Sequence, residues 1–147
     1  MSVFRLLTRR SFAPFFGTQL LGAANDNIFK FAFTLLVTYQ ASSYSTLSTG
    51  LLVNLISGLF ILPFLLFSAT SGQLSDKYDK TTIMRSVKVA ELGILSLACV
   101  GFWLHSAAVL LLCTFLMGVH STVFGPAKYA YLPQHLEPQD IVAGNGL

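Results

Sequence analysis

Charge is what this sequence has least of. Asp, Glu, Lys and Arg make up 10% of its 147 residues, against about 25% in a soluble globular domain. So few charges cannot clothe a water-facing surface. With 54% hydrophobic residues and a mean hydropathy of +0.68, the chain reads as an integral membrane protein. Cysteine is also scarce. Cys99 and Cys113 both lie inside apolar stretches and read as small hydrophobic core residues, so neither a disulfide, a metal site nor a cofactor is expected. The net charge is only +3, and the bases sit beside apolar runs. That pattern points to anionic lipid headgroups as their partners and away from nucleic acid. The first apolar segment is too long for a cleavable signal peptide and lacks the small-residue ending of one.

What is present is a series of apolar runs. They predict an all-α membrane protein with spans at about 13–40, 48–71, 82–104 and 107–125, and the opening of a fifth span at 141–147. Residues 1–12 alternate Arg5, Arg9 and Arg10 with apolar side chains, as in a short amphipathic segment on a membrane surface. Loops are expected at 41–47, 72–81 and 133–139. If each run crosses once, Arg5, Arg9, Arg10, Lys77, Lys80, Arg85, Lys88 and Lys128 share one side, and the opposite loops carry no base. The positive-inside rule then puts both ends of the chain and loops 72–81 and 133–139 in the cytoplasm. Pro63 is expected to bend the second span, and Pro126 to end or kink the fourth. Asn54 is expected to bond a neighbouring helix. Gly118, Ser121, Thr122 and Gly125 give the fourth span one smooth face for close packing.

The few charges inside the spans carry the functional signal. Asn25-Asp26-Asn27 and Lys30 fall in the middle of the first span, where a charge costs about 2.5–3.5 kcal/mol on insertion scales. Asp26 and Lys30 are one helical turn apart. Either they form a private ion pair, or Asp26 faces a wet cavity and pairs with a base on another helix; we favour the second. Arg85, Lys88 and Glu91 recur at intervals of three along the third span. Lys88 and Glu91 either neutralise each other or give a polar lining to a translocation cavity. His120 reads as bonded to a neighbouring carbonyl or hydroxyl, with proton relay as the alternative. Lys128 reads as a headgroup anchor or as part of the path. His135 and Asp140 have the His-x-x-x-x-Asp spacing of an acyl-transfer dyad, but the spacing is common by chance and the reading is not favoured.

Between the second and third spans stands Gly72-Gln73-Leu74-Ser75-Asp76-Lys77-Tyr78-Asp79-Lys80. It resembles the signature loop of major facilitator superfamily transporters at Gly72, Leu74, Ser75, Asp76, Lys77 and Lys80. Asp79 and Thr81 depart from that pattern. The resemblance implies a conformational latch, and a chain holding the N-terminal four helices and the start of a fifth of a major facilitator fold. Asp76, followed by Asp79, is expected to precede a helix whose free N–H groups favour a carboxylate.

Three more stretches, Asn25-Asp26-Asn27, Gly125-Pro126-Ala127-Lys128-Tyr129 and Gly144-Asn145-Gly146-Leu147, are similar to the bacterial lysophospholipid transporters. That similarity implies a carrier in the bacterial inner membrane that moves lysophosphatidylethanolamine-like lipids from the outer to the inner leaflet by alternating access. Asp26 and Lys128 then match polar positions of the transport path. It also implies partners: membrane lipids, later transporter helices, and an acyltransferase and acyl-carrier-protein synthetase fused or separate. Three other functions compete: a major facilitator exporter of drugs or sugars, a four-helix exporter working as a dimer, and the transporter portion of an acyltransferase fusion.

Overall fold

The computed structural model describes residues 6–10 and 12–146, without the side chains of residues 135, 139, 143, 145 and 146. Arg5 and Leu147 lie outside the described residues, as do the side chains of His135 and Asn145. Four long helices form the body: α1, Ala13–Tyr39; α3, Thr49–Lys77; α4, Lys80–Trp103; and α5, Ala107–His135. A short helix α2, Ala41–Tyr44, follows α1, and a 3-10 turn, Pro138–Asp140, leads into α6, Ile141–Gly146. Among the described residues there is no strand, so the all-α reading holds.

Three of the long helices, α1, α3 and α5, are long and apolar enough to cross a membrane by length and composition. The 24 residues of α4 extend about 36 Å, more than the roughly 30 Å of a hydrocarbon core. It carries more charge than those three, with Lys80, Arg85, Lys88 and Glu91. Cross-helix contacts fix the directions. Gly101 abuts Val109 and Leu110, and Cys113 reaches the Ile94 carbonyl, so α4 and α5 run antiparallel. Phe15 stacks on Tyr131, and Asp26 meets Ser121, so α1 and α5 are antiparallel too. Gly118 of α5 packs on Phe60 and Pro63 of α3, near the middle of both helices.

The buried core lies toward the end opposite the bases. Phe29, Phe33 and Val37 of α1 meet Leu52 and Ile56 of α3 and Leu110, Cys113 and Met117 of α5. At the base-rich end, Leu6 and Phe12 of the N-terminal segment are buried with Phe15, Leu132 and Leu136. Arg9 holds Asp140 at 3.0 Å. Leu21, Ile28, Leu65 and Val89 point outward, as suits a helix surface bathed in lipid. Trp103, at the opposite end, is 84% exposed.

Several expected boundaries move. The loop 72–81 is mostly helical: α3 runs on through Gly72 to Lys77, leaving only Tyr78 and Asp79 between it and α4. Pro126 does not end α5, which continues past it and past Pro133. The loop 133–139 shrinks accordingly to 136–137 between α5 and the 3-10 turn. A proline removes one ladder hydrogen bond, which the other bonds of a 29-residue helix outweigh. Asn54 faces outward, not toward a neighbouring helix.

A Cβ at Gly118 would collide with the Phe60 carbonyl oxygen, whereas one at Gly72 would meet open space. Gly118→Leu is therefore expected to destabilise the bundle by about 1–3 kcal/mol through overpacking. Gly72→Ala should match or exceed the parent by about 0.5–1 kcal/mol. Thermal unfolding of both variants in detergent checks the pair.

Candidate substrate cavity and charge cluster

Glu91 is the centre of a charge cluster that ties three helices together. Buried on α4, it lies 2.6 Å through Oε2 from Lys88 Nζ, one turn away. Asn25 of α1 donates to its Oε1 at 3.3 Å. His120 of α5 brings Nε2 to 3.2 Å from Oε2, a close approach without hydrogen-bond alignment. The cluster is possible because α1 is bare where it passes α4. A Cβ on Gly22 would sit 2.5 Å from Lys88 Nζ. Lys88 also lies over the Phe124 ring at 5.0 Å, and His120 stacks on the same ring. The Lys88–Glu91 ion pair is formed, and Lys88 at the same time lines a cavity.

Asp26 and Lys30 do not pair. Asp26 Oδ2 accepts a hydrogen bond of 2.9 Å from the Ser121 hydroxyl of α5. Its Oδ1 is buried with no hydrogen-bond partner among the described residues. Lys30 turns the other way and lies 3.8 Å over the Phe60 ring of α3, a cation–π contact in place of an ion pair. Asn27 bonds the Ala23 carbonyl of its own helix. The predicted site residues therefore divide. Asn25, Glu91 and Lys88 form one cluster, Asp26 sits beside it across α5, and Asn27 and Lys30 line a separate crevice of about 360 Å³ between α1 and α3.

Asp26, Lys88 and Lys128 do share one space. A cavity of about 340 Å³ opens between α1, α3, α4 and α5, with Gln19, Asp26, Lys88, His120, Ser121 and Lys128 among its polar walls and Phe64, Phe124 and Tyr129 among its apolar ones. Gly125 lines it with open space at its Cβ position. Lys128 rests 5.6 Å over the Tyr129 ring. The space thus offers an acid and two bases within an aromatic frame. Chemically, it can receive a compact dipolar group. Ser121 read from sequence as a small packing residue. Its bond to Asp26 depends on the register of α1 against α5, which no local spacing reveals. His120 was singled out, but its neighbour is a carboxylate, not the carbonyl or hydroxyl expected.

The predicted latch is a helix junction. Gly72, Leu74, Asp76 and Lys77 belong to the last turns of α3, and Lys80 opens α4. Asp79, not Asp76, caps α4: its Oδ2 accepts from the Thr82 amide at 2.8 Å and the Thr82 hydroxyl at 3.1 Å. These donors hold the Asp79 carboxyl below its ordinary value of 3.8. A lowered pKa means that the cap is fully formed above that ordinary value and is lost as pH falls through the lower folded one. Asp76 instead lies at the C-terminal end of α3, where a negative charge opposes the helix dipole. Nothing in the contacts of this single chain gives it a partner on another helix among the described residues. Asp140 is engaged by Arg9, and the His135 side chain is outside the described set.

Residues 4–147 match the family described as transmembrane secretion effector, within the major facilitator superfamily. No curated protein and no solved structure matches the chain.

Removing one member of the Glu91 cluster strands the others in a poorly hydrated place. Glu91→Gln is expected to cost about 1–3 kcal/mol of stability. The double variant Lys88→Met/Glu91→Leu should recover most of that loss, because replacing both members of a buried pair is far cheaper than replacing one. A double-mutant cycle by thermal unfolding checks this. Equal, additive losses in the two single variants would show that the pair is not coupled.

Proposed function

The chain belongs to the transmembrane secretion effector family of the major facilitator superfamily, multi-pass membrane transporters and not enzymes, and from that premise we propose that it carries a lysophospholipid. In this reading, α4 crosses the membrane alongside the three more apolar helices, and the base-rich end faces the cytoplasm of a bacterial inner membrane. The lipid moves from the outer to the inner leaflet by rocking of two helical halves. An acyltransferase, fused or separate, then restores the missing chain.

The observation that carries the reading is the cavity holding Asp26, Ser121, His120 and Lys128 against Phe64, Phe124 and Tyr129. A lysophosphatidylethanolamine has a zwitterionic head and one acyl tail. Its ammonium suits the unfilled Oδ1 of Asp26, its phosphate suits Lys128, and the aromatic walls lead to the lipid-facing surface for the tail. A few kcal/mol of differential charge pairing is enough to bias an equilibrium between inward-open and outward-open states. The second reading is outward export of a different amphiphile, which the family's description as a secretion effector favours.

The test is leaflet exchange of fluorescent lysophosphatidylethanolamine in proteoliposomes of the intact protein. Asp26→Asn is expected to insert normally and to slow flipping by more than about tenfold, the loss of one charge-assisted contact. Lys128→Ala is expected to raise the half-saturating lipid concentration more than it lowers the maximal rate. Normal flipping by Asp26→Asn would remove Asp26 from the mechanism. Failure of the parent protein to move lysolipid, with export of another amphiphile, would replace the first reading by the second.

A further inference from the structure

A second cavity is larger than the one around Asp26. It lies at the base-rich end between α1, α4 and α5, with a volume of about 470 Å³. Its rim carries Arg10 and Arg85, one ahead of α1 and one in the second turn of α4, and its inner wall is Phe15, Met84 and Tyr131. Both arginines are exposed, and neither has a carboxylate partner among the described residues. Three acids at this end are committed elsewhere: Asp140 to Arg9, Glu91 to Lys88, and Asp79 to the Thr82 amide. Arg9 and Arg10 are thus adjacent in sequence but differ in kind, the first spent on an internal pair and the second left facing the cavity.

We propose that this cavity is a binding site for the phosphodiester headgroup of an anionic phospholipid from the leaflet at the base-rich end, held between Arg10 and Arg85. Two guanidinium forks present planar pairs of donors that match phosphate oxygens, and basic pockets between membrane helices take such headgroups. The apolar inner wall selects a lipid over a free anion, because it buries the glycerol and the upper acyl chain. The site is separate from the Asp26 cavity. The two share Lys88 and Phe124 in their linings, with the Lys88 ammonium over the Phe124 ring. A lipid seated here braces α1 against α4 directly below the Glu91 cluster. The proposal does not depend on which substrate the transporter carries.

Native mass spectrometry of the intact, detergent-purified protein with added phosphatidylglycerol or phosphatidylcholine tests it. Phosphatidylglycerol is expected to bind at least about tenfold more tightly than phosphatidylcholine, and inorganic phosphate in excess over the lipid should not displace it. Arg10→Gln/Arg85→Gln should abolish that preference. Lys77→Gln/Lys80→Gln, which removes the same charge from the nearby helix junction, should keep it. Equal loss in both double variants would overturn the site in favour of diffuse surface attraction. Displacement by phosphate would overturn the lipid in favour of a free-anion site. If Arg10→Gln/Arg85→Gln fails to fold, Arg10→Lys/Arg85→Lys serves instead: it keeps the charge but not the fork, and unchanged tightness in it would also contradict the proposal.

Discussion

A carboxylate in a medium that solvates charge badly must find donors or take up a proton, and the arrangement of this bundle follows from how Glu91 meets that demand. Lys88 supplies the countercharge from the same helix, Asn25 a hydrogen bond from α1, and His120 a close nitrogen from α5. Each of these neighbours constrains a helix. Lys88 needs α1 to be bare at Gly22, and His120 needs α5 turned so that Ser121 meets Asp26. The same rotation sets Gly118 against Phe60 of α3. The polar contacts and the close packing at Gly118 thus both follow from one orientation of α5.

Asp26 is solved differently from Glu91, and the difference is where function enters. Each oxygen of Glu91 accepts from a donor of its own chain, whereas one oxygen of Asp26 is buried without any. Lys30, the obvious neutralising base one turn along, lies on an aromatic ring instead. A half-satisfied acid on a cavity wall has something to gain from an incoming cation, and one with both oxygens engaged gains less. That contrast is the physical reason for placing the substrate's charged end at Asp26 and treating Glu91 as the framework that holds its surroundings.

Much of the architecture was legible in the chain because it follows from local rules. Long apolar runs fixed the helices, and the first span came within a residue of α1 at both ends. Local rules failed where two of them competed. Gly72, Pro126 and Pro133 are breakers by propensity, yet long helices carry straight through them. The charges of the expected loop similarly hide a junction of only two non-helical residues, with Asp79 rather than Asp76 as its cap. In the site, the Lys88–Glu91 pair could be read from an i, i+3 spacing. The Asp26–Ser121 bond and the exposure of Asn27 could not, because they depend on how one helix is rotated against another 95 residues away in sequence.

Water access to the Asp26 cavity is the measurement that bears most directly on all of this. Gly125 lines the cavity with room for a side chain, so Gly125→Cys in a background with Cys99 and Cys113 replaced by Ala places a thiol there without crowding. The account predicts that a membrane-impermeant thiol reagent labels this cysteine in the intact protein, and that lysophosphatidylethanolamine protects it. A thiol that stays unlabelled from both sides of the membrane, in a folded and inserted protein, would mean that the acid and bases are enclosed in a dry bundle, and would contradict it.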